Sequence, residues 1–237
     1  MATKGKVIII GGTSGLGLTA GITLSKEGYE VIIAGRSEPR INKTLSYKHI
    51  DVTNEISIKD FFNSLDVSQM DSLIYSAEIT TKKKSIEHFD QEEYRKINDV
   101  NLVGAFLTLK YAYKHLKKNR GRVVIINSIA SRTFSQFSGF EYTATKSGLS
   151  GMVKQLSVEW AKDNILINSI FPSMIDTPML RENLSEEEII SINDSIPLGR
   201  VAKVEEIIHP IEFLISKKNT YITGSGIDIC GGKYLSS

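Results

Sequence analysis

At 237 residues the chain can bury a sizeable core and still form a single α/β domain. Its 29 basic and 27 acidic residues are spread along the chain and leave a net charge of +2, too even a balance to hold nucleic acid or an anionic membrane. A lone cysteine, Cys230, excludes an intrachain disulfide and a cysteine-rich metal site. His49, His88, His115 and His209 show no ligand spacing, so no metal is expected and a small molecule is the fitting partner.

The opening MATKGKVIII holds too short an apolar run for a signal peptide or a membrane span, so a cytoplasmic location is expected. KVIII at 6 to 10 reads as a first strand and runs straight into Gly11, Gly12, Thr13, Ser14, Gly15, Leu16 and Gly17, followed by a helical pattern. In that context the loop is a cradle for a dinucleotide. Gly11 permits a tight turn, Gly15 lets backbone approach a pyrophosphate, and Gly17 lets helix and strand pack closely, with phosphate at the positive helix end. Leu16, Ala20 and Leu24 share one helix face, and Gly28 suits the residue that ends it. EVIIA at 30 to 34 is the second strand, closing on Gly35, Arg36 and Ser37. A carboxylate there would hold the ribose hydroxyls of NAD. Arg36 and Ser37 instead offer charge-assisted hydrogen bonds to a 2′-phosphate, which favours NADP and leaves NAD possible. The next stretch, RSEPRINKTLSYK, is short for a full crossover helix and is expected to shrink to a turn or two.

Three more strands follow, SLIYSA at 72 to 77, RVVIINS at 122 to 128 and LINSIF at 166 to 171. They are rich in Val and Ile and do not alternate with polar residues, as suits a parallel sheet covered by helices on both faces. Asp90 with Glu93 and Ser185 with Glu188 have the spacing of capping boxes, and Thr177-Pro178 is a further helix start. Lys82, Lys83 and Lys84 read as a solvated loop, Trp160 as packing, and Cys230 as buried and inert. Phe134, Phe137 and Phe140 either line a substrate pocket or form a packing cluster.

Tyr142 and Lys146 lie four apart in a helical segment and so on one face. A free tyrosine ionises near pH ~10, and an adjacent ammonium is expected to lower that value and fit the phenol for proton transfer. The lysine can also reach the ribose of a nicotinamide. Ser128 ends a central strand, so its hydroxyl points into the crevice where ligands bind and would hold a substrate oxygen; Ser131 is the alternative.

A GxxxGxG loop on the first strand, a serine, a YxxxK pair and the segments NDVNLVGAFLTLKYAYKHL, NSIFPSMIDTPM and ITGSGIDICGG, in this order, resemble the short-chain dehydrogenase/reductase family over nearly the whole chain. The resemblance implies a single doubly wound Rossmann domain over residues 1–237, with a parallel sheet of order 3-2-1-4-5-6-7 and a mobile substrate flap near 173–198. It adds Asn101 as the catalytic asparagine, with Asn98 nearby. It also makes Asp51 and Val52 the adenine contacts, unless Asp51 simply opens a turn, and Ser76, Ala77, Pro172, Ile175 and Thr177 further cofactor contacts. The implied activity is interconversion of a ketone and a secondary alcohol, with hydride from nicotinamide and a proton from Tyr142. A 3-oxoacyl-ACP reductase or a related ketoreductase fits, and a homo-oligomer packed through helices near 97–118 and 142–161.

The chain departs from the family pattern at a few points. Tyr75-Ser76-Ala77-Glu78 stands where relatives carry NNAG, Ser173 replaces a glycine and Cys230 an aspartate. Glu78 places a side chain where backbone would approach the cofactor ribose. The altered 75–78 stretch is what would support the rival reading, a non-catalytic NADP(H)-binding sensor or assembly module.

Overall fold

A computed structural model describes residues 3–39, 45–66, 70–176, 180 and 185–235. Seven strands form one parallel sheet: β1 Lys6–Ile10, β2 Glu30–Gly35, β3 Ser46–His49, β4 Ser72–Tyr75, β5 Arg122–Ile126, β6 Leu166–Pro172 and β7 Gly226–Ile229. Their order is β3-β2-β1-β4-β5-β6-β7, as expected. The chain leaves β3 on one side of β1 and re-enters as β4 on the other, so a crevice opens beyond the carboxyl ends of β1 and β4.

Register brings the site residues to that edge. Ile10 pairs with Ala34 and with Tyr75, Tyr75 with Ile125, and Ile126 with Ile170. Gly11, Arg36, Ser76, Ser128 and Pro172 therefore leave the sheet along one line. Two of the predicted strands end earlier than their apolar runs: β4 stops at Tyr75 and β5 at Ile126, and Ser128 opens the short turn that follows β5.

Alternation along each strand, invisible as polarity because both faces are apolar, divides the core in two. Ile8, Ile10, Ile32, Leu73, Tyr75, Val123 and Ile125 face helices α2 Glu55–Asn63, α4 Gly104–Asn119 and α5 Phe140–Trp160. Val7, Ile9, Val31, Ile33, Ile74, Val124 and Ile126 face α1 Gly15–Lys26 and α7 Val204–Ile215. Each such aliphatic side chain, fully buried, contributes roughly 1.5–3 kcal/mol. Trp160 belongs to the first core, its ring 5.5 Å from that of Tyr113.

Gly28 has the positive φ, 94°, expected just past α1. Asp90 caps α3 Gln91–Asn98 by accepting from the backbone of Glu92 and Glu93. The reciprocal half of that capping box is absent, because Glu93 pairs with Lys84 instead. Ser185 and Glu188 form the complete box at the start of α6 Glu186–Asp194. Much of the crossover between β2 and β3 and the Thr177-Pro178 helix start lie outside the described residues. Among the described residues no helix is long and apolar enough to cross a membrane.

Candidate active site

The glycine loop fits a dinucleotide's diphosphate. Gly11 has φ +80°, and a Cβ on it would stand 2.4 Å from the backbone nitrogen of Ala77, so glycine is what allows β1 and the 76–77 loop to meet. A Cβ on Gly17 would strike the Gly11 carbonyl oxygen at 2.3 Å, while one on Gly15 would meet nothing within 4 Å. Gly15 thus opens onto free space at the start of α1. The first amide hydrogens of a helix have no intrahelical partner. Ser14 caps none of them with its side chain, and no acidic residue stands in the first turn. Those donors and the helix dipole are left for an anion. Leu16 packs inward, and Thr13 leans over Gly35, where a Cβ would come within 2.6 Å of its hydroxyl.

At the end of β2, Arg36 and Ser37 are exposed, and the guanidinium's charge reaches Asp51. Asp51 opens a turn, its Oδ1 accepting from the backbone and hydroxyl of Thr53 at 2.9 and 2.8 Å, and these bonds hold the carboxyl below its usual range. The plainer of its two expected roles is therefore present. Val52 is buried in the core.

Ile175 lies at the far end of the crevice and bridges Ala202 in parallel fashion. The bonds of that bridge run from Ala202 N to Met174 O and from Asp176 N to Ala202 O. The amide and carbonyl of Ile175 consequently point away from Ala202. Pro172 is buried just before it; Thr177 lies outside the described residues.

Ser128, Tyr142 and Lys146 converge where β5 ends. The Ser128 hydroxyl lies near enough to the Tyr142 phenol to act on its ionisation, and it accepts from Ala130 N at 3.1 Å. Ser131 turns away, donating to the Ser128 carbonyl at 2.8 Å and meeting Ser150 at 3.4 Å. Lys146 is buried, donates to the carbonyl of Ile126 at 2.9 Å, and holds its Nζ 5.4 Å from the centre of the tyrosine ring.

One expectation is corrected here. The phenol is not made acidic by its neighbouring cation: burial first, and then the charge of Glu78, push Tyr142 well above the ordinary tyrosine value, with the Ser128 bond working the other way. The reason is geometric. Glu78 Oε2 pairs with Lys146 Nζ at 2.5 Å and lies 3.4 Å from the Tyr142 hydroxyl, so a carboxylate offsets the ammonium.

Behind these groups stands a frame. Asn101 is buried on a single π-helical turn, Asp99–Val103, that joins α3 to α4. Its amide clasps Ile79, accepting from the backbone N at 2.8 Å and donating to the carbonyl at 2.9 Å, and it also reaches Thr145. Asn98 is not part of this contact. Tyr75, buried, donates to the Val100 carbonyl at 2.6 Å and so ties β4 to the same turn.

On the other side of Tyr142, the buried Glu141 accepts from Thr81 at 3.2 Å and pairs with Lys84 at 3.1 Å. Lys84 is therefore a strut between a loop and α5, not a solvated residue. Lys233 also had no signal in the sequence. It donates to Gln136 at 3.0 Å and Ser195 at 2.9 Å, joining the C-terminal segment to the loop before α5 and the end of α6. The three phenylalanines separate: Phe134 and Phe137 are exposed, whereas Phe140 stacks near Phe89. Cys230 is buried and free, as expected.

Comparison with known proteins agrees with this geometry. Residues 11–233 match the family model described as enoyl-(acyl carrier protein) reductase. The 3-oxoacyl-[acyl-carrier-protein] reductase FabG of Rickettsia conorii is 33% identical over 234 residues, covering 96% of each chain. That of Aquifex aeolicus is 34% identical over 248 residues, covering 98% of each. Among solved structures, ElxO with NADP bound has a TM-score of 0.90 at 27% identity, covering 98% of this chain and 99% of that one. A short-chain dehydrogenase from Leptospira borgpetersenii with bound NAD+ has 0.91 at 26%, covering 98% and 94%. A glycine cradle on β1, a serine, tyrosine and lysine gathered at the end of β5, and full-length relatives of this kind place the chain in the short-chain dehydrogenase/reductase family, as an NAD(P)-dependent oxidoreductase acting between carbonyl and alcohol.

Proposed function

We propose that the protein reduces a ketone with NADPH, a 3-oxoacyl thioester being the first candidate substrate. The observation that carries this reading is the meeting of Ser128, Tyr142 and Lys146 at the crevice beside the open start of α1. The FabG relatives, about equally similar along their whole length, support the thioester. Arg36 and Ser37 at the end of β2 support NADPH over NADH, since neither supplies the carboxylate that a free ribose calls for.

NAD(P)H, when bound, supplies the hydride. Ser128 steadies the substrate oxygen by donating to it, Tyr142 gives that oxygen its proton, and Lys146 holds the ribose. Asn101 keeps the 76–79 loop in place beside them, through Ile79. A raised phenol value suits this direction: Tyr142 keeps its proton at neutral pH and has it to give. Oxidation of the alcohol needs the phenolate and is expected to grow as pH rises.

Segment 173–198 is proposed as a substrate flap, with Ile175 before and α6 after the stretch of it, 177–179 and 181–184, that lies outside the described residues. The same reading includes a cytoplasmic location and a homo-oligomer formed through α4 and α5, where Phe106 and Val158 are exposed and Val103, on the π turn before α4, is exposed beside them.

Replacing Tyr142 by Phe tests the proposal. Turnover of 3-oxoacyl thioesters and simple ketones, followed at the nicotinamide absorbance, is expected to fall by roughly 10²–10⁴-fold with NADPH binding nearly intact. Unchanged turnover overturns it, and silence of the wild type across broad ketone and alcohol panels, despite tight cofactor binding, favours the non-catalytic module.

A further inference from the structure

Glu78 pairs with the lysine that the proposed function assigns to the ribose. The Lys146 side chain is 2% exposed and that of Glu78 43%, so the carboxylate is the outer member of the pair. An ammonium has three donors. One goes inward to the Ile126 carbonyl at 2.9 Å and one outward to Glu78 at 2.5 Å. The backbone next to Glu78 is held in place, because Ile79 is clasped at both its N–H and C=O by the buried Asn101. The groups facing the carboxylate are Lys146 and Tyr142, both from α5, and among the described residues no other cation pairs with it.

We propose that Glu78 is a positioning residue that gates Lys146: in the free protein it holds the ammonium that the dinucleotide's ribose takes over, so the cofactor binds against this ion pair. The proposal rests on the reading above, in which Lys146 holds the ribose. A neutral side chain at 78 leaves Nζ a weaker competitor and removes a negative charge from beside the phenol. Two readouts follow, and one needs no cofactor.

NADPH and NADH are titrated by nucleotide fluorescence into the wild type, Glu78→Gln and Glu78→Gly near neutral pH. In parallel, Tyr142 ionisation is followed by ultraviolet difference spectra of the free proteins, with Tyr142→Phe as the blank. Both variants are expected to bind nucleotide at least ~5-fold more tightly, and the phenol of Glu78→Gln to ionise at lower pH than in the wild type. Binding by Glu78→Gln that is equal to or weaker than the wild type's, or an unmoved phenol, overturns the gate and leaves the functional reading standing. If neither the wild type nor the variants bind either nucleotide, the functional reading fails and the gate with it. Glu78→Gln preserves side-chain shape, so it decides the matter should Glu78→Gly not fold.

Discussion

Two charged side chains decide what the crevice can hold, and each acts at the scale of one residue. Glu78 pairs with Lys146 and adds its charge to burial in raising Tyr142 above the ordinary tyrosine value. Arg36, exposed at the end of β2, is the residue proposed to favour NADPH over NADH. Replacing Arg36 by Ala removes a charge-assisted bond to a 2′-phosphate, so NADPH affinity is expected to fall by about tenfold or more while NADH affinity barely moves. Equal losses for both nucleotides in the same titration would contradict that assignment. Of these two residues, Arg36 was legible because its chemistry depends only on standing after a strand. Glu78 was legible as a departure, but its partners were not: Lys146 lies 68 positions away along the chain and Tyr142 64, as 146 minus 78 and 142 minus 78 give.

The junction of α3, the π turn and α4 shows how elements hold such residues still. A π turn carries one residue more than the α-helix would, and here it turns Asn101 inward toward Ile79. Tyr75 fastens the turn from the sheet side through the Val100 carbonyl, and Gly104 makes room for it: a Cβ there would lie 2.9 Å from the tyrosine hydroxyl. The substitution that seemed to erode the family pattern at 75 is thus a packing solution with its own partners. Tyr75→Phe removes the phenol donor from the half-buried Val100 carbonyl, at a cost of about 1–2 kcal/mol. Thermal unfolding should move down by roughly 2–8 °C for a chain of this size. A midpoint unchanged within error would show that the bond contributes nothing. The capping spacing at Asp90 and the family resemblance foretold the helices on either side of this junction, but not the extra residue, because a π turn has no distinct polarity pattern.

At the scale of the whole molecule, two apolar cores clamp the sheet and leave some apolar surface over. Val103 and Phe106, at the π turn and the first turn of α4, are exposed at 37% and 48%, and Val158 near the end of α5 at 78%. If these helices pack between subunits, Val103→Asp with Phe106→Asp should lower the mass found by sedimentation equilibrium while circular dichroism stays the same. A wild-type protein already monomeric at micromolar concentration would remove the homo-oligomer from the proposal. What the sequence determined by itself was whatever depends on neighbours along the chain: the alternation of strands and helices, the glycine cradle, and a tyrosine and lysine on one helical face. Helix and strand periods, turn sterics and capping act over a handful of residues, so they can be read in order. Only the tertiary structure decided that Glu78 meets Lys146, that Asn101 clasps Ile79, and that Lys84 braces Glu141. Those contacts join segments brought together by strand order and register, and in a parallel sheet neighbouring strands are separated by whole crossovers, which sequence spacing does not record.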